Sequence, residues 1–182
     1  MDIIASPIPD VLLLKPRVFG DARGFFSESY NQRAFEQAVG TAVQFVQDNH
    51  SRSRYGVLRG LHYQIRQPQG KLVRVARGQA FDVAVDLRRS SSTFGQWTSA
   101  LLTDTGAEQL WIPPGFAHGF LALSEIVDFL YKTTDYYAPE HERSIAWNDP
   151  QLAIDWPQID GDPIISEKDA RAQAFAVAEC FE

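Results

Sequence analysis

The sequence predicts an all-β protein, a sandwich or small barrel of short strands, on three observations. Apolar and polar residues alternate with a period of two through the middle of the chain, helical signals are confined to two short stretches, and 12 glycines and 10 prolines are scattered between the alternating runs. With 182 residues, 45% of them hydrophobic, the chain can bury a core as one domain spanning residues 1–182, and no repeat or linker divides it.

The first strand candidate is Val11–Leu14. Arg23-Gly24-Phe25-Phe26-Ser27-Glu28 follows, where charged residues interleave with aromatics, a mixture that suits contact with a charged, flat ligand. Asn31–Val39 reads as a short helix, with Asn31 able to cap it and Gly40 as the stop. Val43–Asn49 returns to strand character and runs into the polar block Gln47-Asp48-Asn49-His50-Ser51. In Gly60–Ile65, Leu61, Tyr63 and Ile65 alternate with His62 and Gln64. In the next run Lys71, Val73 and Val75 alternate with Leu72 and Arg74. Gln79–Leu87 places Phe81, Val83, Val85 and Leu87 on one face and Asp82, Ala84 and Asp86 on the other. Further strands are expected at Gly95–Leu102, Gln109–Ile112, Gly119–Ala122 and Asp128–Thr133. Ser166-Glu167-Lys168-Asp169 has the form of a capping box and predicts a helix through Ala170–Ala178. A barrel of this size encloses one ligand-sized cavity, lined by alternate residues of several strands.

Charge and cysteine content exclude several classes. A net charge of −6 makes a poor nucleic-acid binder. Basic residues nevertheless crowd the first half, among them Arg23, Arg59 and Lys71, and a local convergence of them can hold an anionic small molecule. Cys180 is the sole cysteine, so no disulfide framework exists within one chain, which fits a reducing compartment. The first ten residues have neither a basic n-region nor an apolar h-region, and no apolar run reaches transmembrane length. A cytoplasmic protein without membrane contact is expected.

Four histidines are candidates for chemistry: His50, His62, His118 and His141. His62 points away from the face occupied by its apolar neighbours, and an imidazole is the usual base near neutral pH. An orienting carboxylate for it can come from Asp82 or from Asp169. Pro114-Gly115-Phe116-Ala117-His118 contains the end of a P-x-G-x-x-H motif that is similar to the second metal motif of cupins. The matching first motif should read H-x-H but here reads His62-Tyr63-Gln64, which leaves two histidines where a metal site would have three, so no metal is expected. Tyr131 reads equally as a packed strand tyrosine or as a proton donor.

Taken in order, the blocks FGDARGFFSESYN, FVQDNHS, GVLRGLHYQ, QGKLVR, FDVAVDLR, TFGQW, WIPPGFAHGF, FLYKTTDYY and SEKD resemble the dTDP-4-dehydrorhamnose 3,5-epimerase family over roughly residues 5–170. The resemblance implies a cupin-type jelly roll with a few short peripheral helices, a homodimer, a dTDP-sugar substrate, and no metal or organic cofactor. It implies His62 as the base, Asp169 as its orienter, Lys71 as donor to a C4 oxyanion, and Tyr131 as the acid on the other ring face. For substrate binding it implies Phe19, Arg23, Glu28, Gln47, Asp48, Asn49, Arg59, Lys71, His118, Glu142 and Lys168. Related readings are an epimerase acting at C3 only or C5 only, a metal-dependent cupin, and a sugar-binding cupin without activity.

Overall fold

The computed structural model describes residues 1–182. Thirteen strands form: β1 Asp2–Ile4, β2 Leu12–Lys15, β3 Val18–Asp21, β4 Gly24–Ser27, β5 Gln47–Arg54, β6 Leu58–Gln64, β7 Lys71–Arg77, β8 Gln79–Asp86, β9 Trp97–Thr103, β10 Gln109–Ile112, β11 Phe116–Ala122, β12 Ile126–Thr133 and β13 Glu142–Ser144. One sheet runs β1-β2-β10-β7-β12-β5, a second runs β13-β6-β11-β8-β9, and β3 pairs only with β4. The two large sheets stack as the antiparallel jelly-roll sandwich that the sequence predicts.

Alternate residues of facing strands fill the space between the sheets. Val73, Val75, Leu110, Ile112 and Phe129 meet Ala84, Ala100, Leu102, Phe116 and Phe120 in one buried cluster. The opposite face of the five-stranded sheet is also covered. Leu61, Tyr63, Val83, Val85 and Leu87 pack there against Leu152, Phe175 and Ala178 from the C-terminal segment. Strand β8 is therefore buried on both sides, and the face that reads as polar, with Asp82 and Ala84, is the interior one. Helix α1, Gln32–Val39, closes the outside of the other sheet through Phe35, which sits edge-on to Trp111 at 5.2 Å. Asn31 Oδ1 accepts the Ala34 N–H and Gly40 adopts the left-handed stop, as its sequence predicts.

Two expectations are corrected, and one hairpin gives no sequence signal. Val43 and Phe45 are not strand residues; both leave the sheet to pack on the Phe35 and Trp111 cluster, and β5 starts at Gln47. Helix α2 covers only Glu167–Ala170, not Ala170–Ala178. Backbone pairing pulls the rest away from helix: Gln173 N–H donates to Ser144 O, Ala146 N–H donates to Gln173 O, and Phe175 N–H donates to Asp149 Oδ2 at 2.8 Å. The β3–β4 hairpin carries no alternation because both of its faces are exposed, with Phe25 and Phe26 at 72% and 69%.

Two glycines set the register beside the site. Gly60 has φ +131°, and a Cβ there would lie 2.5 Å from Gly119 Cα; a Cβ on Gly119 would lie 2.8 Å from Arg59 O. This close approach accompanies a register shift between His118 and Phe120 and leaves His118 directly opposite His62. Gly60→Ala is expected to lower the unfolding free energy by about 2–4 kcal/mol, from a disfavoured φ together with the displaced backbone. A urea denaturation midpoint equal to wild type would refute that.

Candidate active site

His62 stands on β6 between Leu61 and Tyr63, whose burial in the outer layer turns the imidazole toward the space between the sheets. Its Nε2 is hydrogen-bonded to Asp169 Oδ1. Asp169 occupies the N3 position of α2, where its own N–H donates to Ser166 Oγ at 3.1 Å and Ser166 Oγ donates to Asp169 Oδ2 at 2.9 Å. The capping motif thus orients the carboxylate as well as the helix. Burial pushes the Asp169 carboxyl up, but the His62 and Ser166 hydrogen bonds outweigh it and leave it below the ordinary value. The carboxylate engages one ring nitrogen, and the imidazole borders the cleft described below.

Asp82 is not that orienter. It is fully buried, and its Oδ2 meets His118 Nε2 at 2.9 Å. Burial drives this pair toward neutrality, raising Asp82 and lowering His118. His118 also stacks on Phe129, with ring centroids 6.0 Å apart.

Lys71 and Tyr131 enter from the other sheet. Thr133 pairs with Lys71 and Tyr131 with Val73, so the period of two puts Lys71, Val73 and Tyr131 on one face, turned inward with Phe129. Burial pushes the Lys71 ammonium down to about 8, and Asp82 and Glu142 pull it partway back. Burial also raises the Tyr131 phenol above its ordinary value, so it keeps its proton at neutral pH. The field of Glu142 reaches His62, Lys71, Tyr131 and Lys168, which marks these residues as one electrostatic neighbourhood.

A cleft of about 560 Å³ opens at this edge, lined by Arg59, His62, Lys168 and Asp169 among others. Arg59 is steadied by Ser53 Oγ at 3.1 Å and Arg52 O at 3.2 Å. Lys168 Nζ donates to Glu142 Oε1 at 2.8 Å, and the Tyr137 hydroxyl donates to Glu142 Oε2 at 3.1 Å. Gln47 and Asn49 are hydrogen-bonded to each other at 3.0 Å on the Tyr131 side of β5. Asp48 is turned to the outer face of that strand and pairs with Lys132 at 2.9 Å. The hairpin residues are not brought in either. Arg23 is engaged by Asp21 at 2.6 Å, Phe19 lies under the Arg17 guanidinium, and Glu28 is exposed. Tyr137, which reaches the cleft through Glu142 and Lys168, carries no sequence signal beyond an aromatic in a polar turn. His50 belongs to an outer-face pair with Asp128, and no group of three or more His, Cys, Asp or Glu is placed to hold a metal ion.

A carboxylate-held imidazole, a buried ammonium and a protonated phenol turned toward the space between two jelly-roll sheets are the kind of groups an isomerase of the cupin type carries. The sequence profile described as dTDP-4-dehydrorhamnose 3,5-epimerase matches residues 5–177. The chain is 68% identical over 174 residues to dTDP-4-dehydrorhamnose 3,5-epimerase of Pseudomonas aeruginosa, covering 96% of each. It is 59% identical over 172 residues to the enzyme of that name from Escherichia coli, covering 94% of this chain and 92% of that one. Its structure superposes with TM-score 0.95 and 52% identity on a dTDP-6-deoxy-D-glucose-3,5-epimerase of Legionella pneumophila in complex with dTDP-4-keto-L-rhamnose, covering 98% and 94% of the two chains. The chain belongs to the dTDP-4-dehydrorhamnose 3,5-epimerase family.

The folded pKa of Lys71 lies below its ordinary 10.5, so between about pH 8 and 10.5 the folded state holds fewer protons than the unfolded one. Stability therefore rises with pH across that window, and the burial penalty is present in full below it. Lys71→Met is expected to raise the unfolding free energy at pH 7 by about 1–3 kcal/mol, with the gain shrinking toward pH 10. Denaturation at both pH values checks this, and a gain independent of pH would contradict it.

Proposed function

We propose that this epimerase inverts C3 and C5 of dTDP-4-dehydro-6-deoxy-D-glucose through enolates, giving dTDP-4-dehydro-L-rhamnose, with His62 as base and Tyr131 as acid. The observation that carries the assignment is that the His62–Asp169 pair and Tyr131 come from different sheets and face the same interior space. Both C–H bonds lie α to the C4 carbonyl, so loss of either proton leaves an enolate. His62 takes the proton from one ring face, and Asp169 holds the imidazole and stabilises the imidazolium that forms. Lys71 donates to the oxygen at C4, where charge grows in the transition state. Tyr131 gives its phenolic proton to the opposite face. Inversion needs two groups on two faces, because a single base returning its own proton restores the original centre.

Arg59 and Lys168 at the cleft suit the diphosphate, since guanidinium and ammonium donate to its oxygens. His118, whose neighbourhood includes Lys71 and His62, would meet the sugar edge in this reading. Binding the remote nucleotide holds the sugar in reactive geometry, so its affinity contributes to rate. The group needs no metal or organic cofactor in this reading, and the cytoplasm supplies the nucleotide sugar.

We further propose a homodimer in which the exposed β3–β4 hairpin reaches a second copy. Val18, Phe19, Phe25 and Phe26 leave apolar surface uncovered on a hairpin that pairs with no other strand, and Phe19, Arg23 and Glu28 are then available to a neighbour's site. Light scattering is expected to give twice the chain mass at micromolar concentration; a monomer would sink this assignment.

In heavy water the wild type should introduce deuterium at both C3 and C5. His62→Ala is expected to abolish exchange at both, a loss of about 10²–10⁴-fold or more. Tyr131→Phe should impair net inversion more than exchange. Wild-type exchange in His62→Ala, read by NMR of the sugar, would remove the base from this mechanism.

A further inference from the structure

Gln64 stands two residues after His62, on the same face of β6, where the cupin metal motif would place its second histidine. Its side chain is buried, and its amide is committed on both ends. Nε2 donates to Gln67 O at 2.8 Å and to Tyr136 O at 3.2 Å, while Oε1 accepts the Ala138 N–H at 2.9 Å. Two further glutamines grip the same turn. Gln47 Oε1 accepts the Tyr137 N–H at 3.0 Å, and Gln69 Nε2 donates to Asp135 O at 2.8 Å. The backbone of residues 135–138 is thus held by side-chain amides from both sheets and from the β6–β7 connection. The turn presents Tyr136 and Tyr137 to solvent, and Tyr137 continues through Glu142 to Lys168 at the cleft. Flat rings beside cationic side chains fit the base and phosphates of a nucleotide.

We infer that Gln64 is a positioning residue for the nucleotide end of the substrate: it fixes the turn that carries the mouth aromatics and touches no reacting atom. This rests on the nucleotide-sugar reading above. A buried amide that satisfies one donor and two acceptors cannot be replaced by an apolar side chain without releasing the turn, because each abandoned backbone group then seeks another partner.

The test compares Gln64→Met, Gln69→Ala and Tyr63→Phe with wild type. Tyr63 donates a partly buried hydrogen bond to Glu179 O at 2.6 Å from the opposite face of the same strand, so Tyr63→Phe controls for general destabilisation of β6. Gln64→Met is expected to raise KM for the dTDP-sugar, and Kd for thymidine diphosphate alone, by about 10- to 100-fold, with kcat within about threefold of wild type. Gln69→Ala should move the same two constants in the same direction by less, and it carries the test if Gln64→Met does not fold. Tyr63→Phe should lower the melting temperature without changing either. Unchanged KM and Kd in the glutamine variants, or a fall in kcat alone, would overturn the inference. Wild-type protein that fails to bind thymidine diphosphate would instead overturn the nucleotide reading on which it rests.

Discussion

The structure is organised around the cost of keeping Lys71 charged between two β-sheets. An ammonium taken from water loses several kcal/mol of hydration unless polar groups replace it. Here the replacement comes from Asp82 and Glu142, whose fields oppose the effect of burial. Asp82 in turn needs a partner, and His118 supplies it; His118 needs a wall, and Phe129 supplies that. The same Phe129 lies flat on Phe120 at 4.1 Å in the apolar core, so the polar cluster is braced directly by the packing that holds the sheets together. Remove the lysine and this whole chain of polar partners has less reason to exist.

That arrangement explains why the sheets are so unlike surface sheets. Strand β8 is buried on both faces, and its interior face mixes alanines with an aspartate. The alanines pack in the core between the sheets, and the aspartate faces His118 and Lys71. Beyond the site, Asp86 at the end of the strand is held well below the usual carboxylate range, at about 2, because hydrogen bonds from Arg88, Ser91 and Thr93 outweigh its burial. One strand therefore carries a carboxylate that stays charged as a structural anchor and another pushed toward neutrality beside the site.

Most of this was legible in the sequence because period-two alternation tells which side of a strand a residue takes. It placed His62 opposite Leu61 and Tyr63, and Lys71 with Val73. Alternation could not show which face was interior when both were buried, as for Asp82, nor which of two carboxylates reached His62. That choice depends on a contact between residues 107 positions apart. It also failed where no face was buried, at the β3–β4 hairpin, and where local helix propensity lost to long-range pairing after Ala170. Tyr137 escaped because a turn aromatic has no periodicity to betray its direction.

Asp169, which meets His62, is joined to the sandwich by a long segment with little regular structure. Between Ser144 at the end of β13 and Ser166 at the start of α2 the chain is mostly irregular with a few turns, and the region beyond is tied back by isolated bridges such as Ile145 to Gln173 and Arg88 to Phe181. A single protease nick in that stretch would leave every strand of the sandwich in place, with Lys71, Tyr131 and His62 intact, yet release Asp169 from its covalent tether. The contact between His62 and Asp169 would then rest on packing alone, chiefly that of Phe175 and Ala178 on the outer face of the five-stranded sheet.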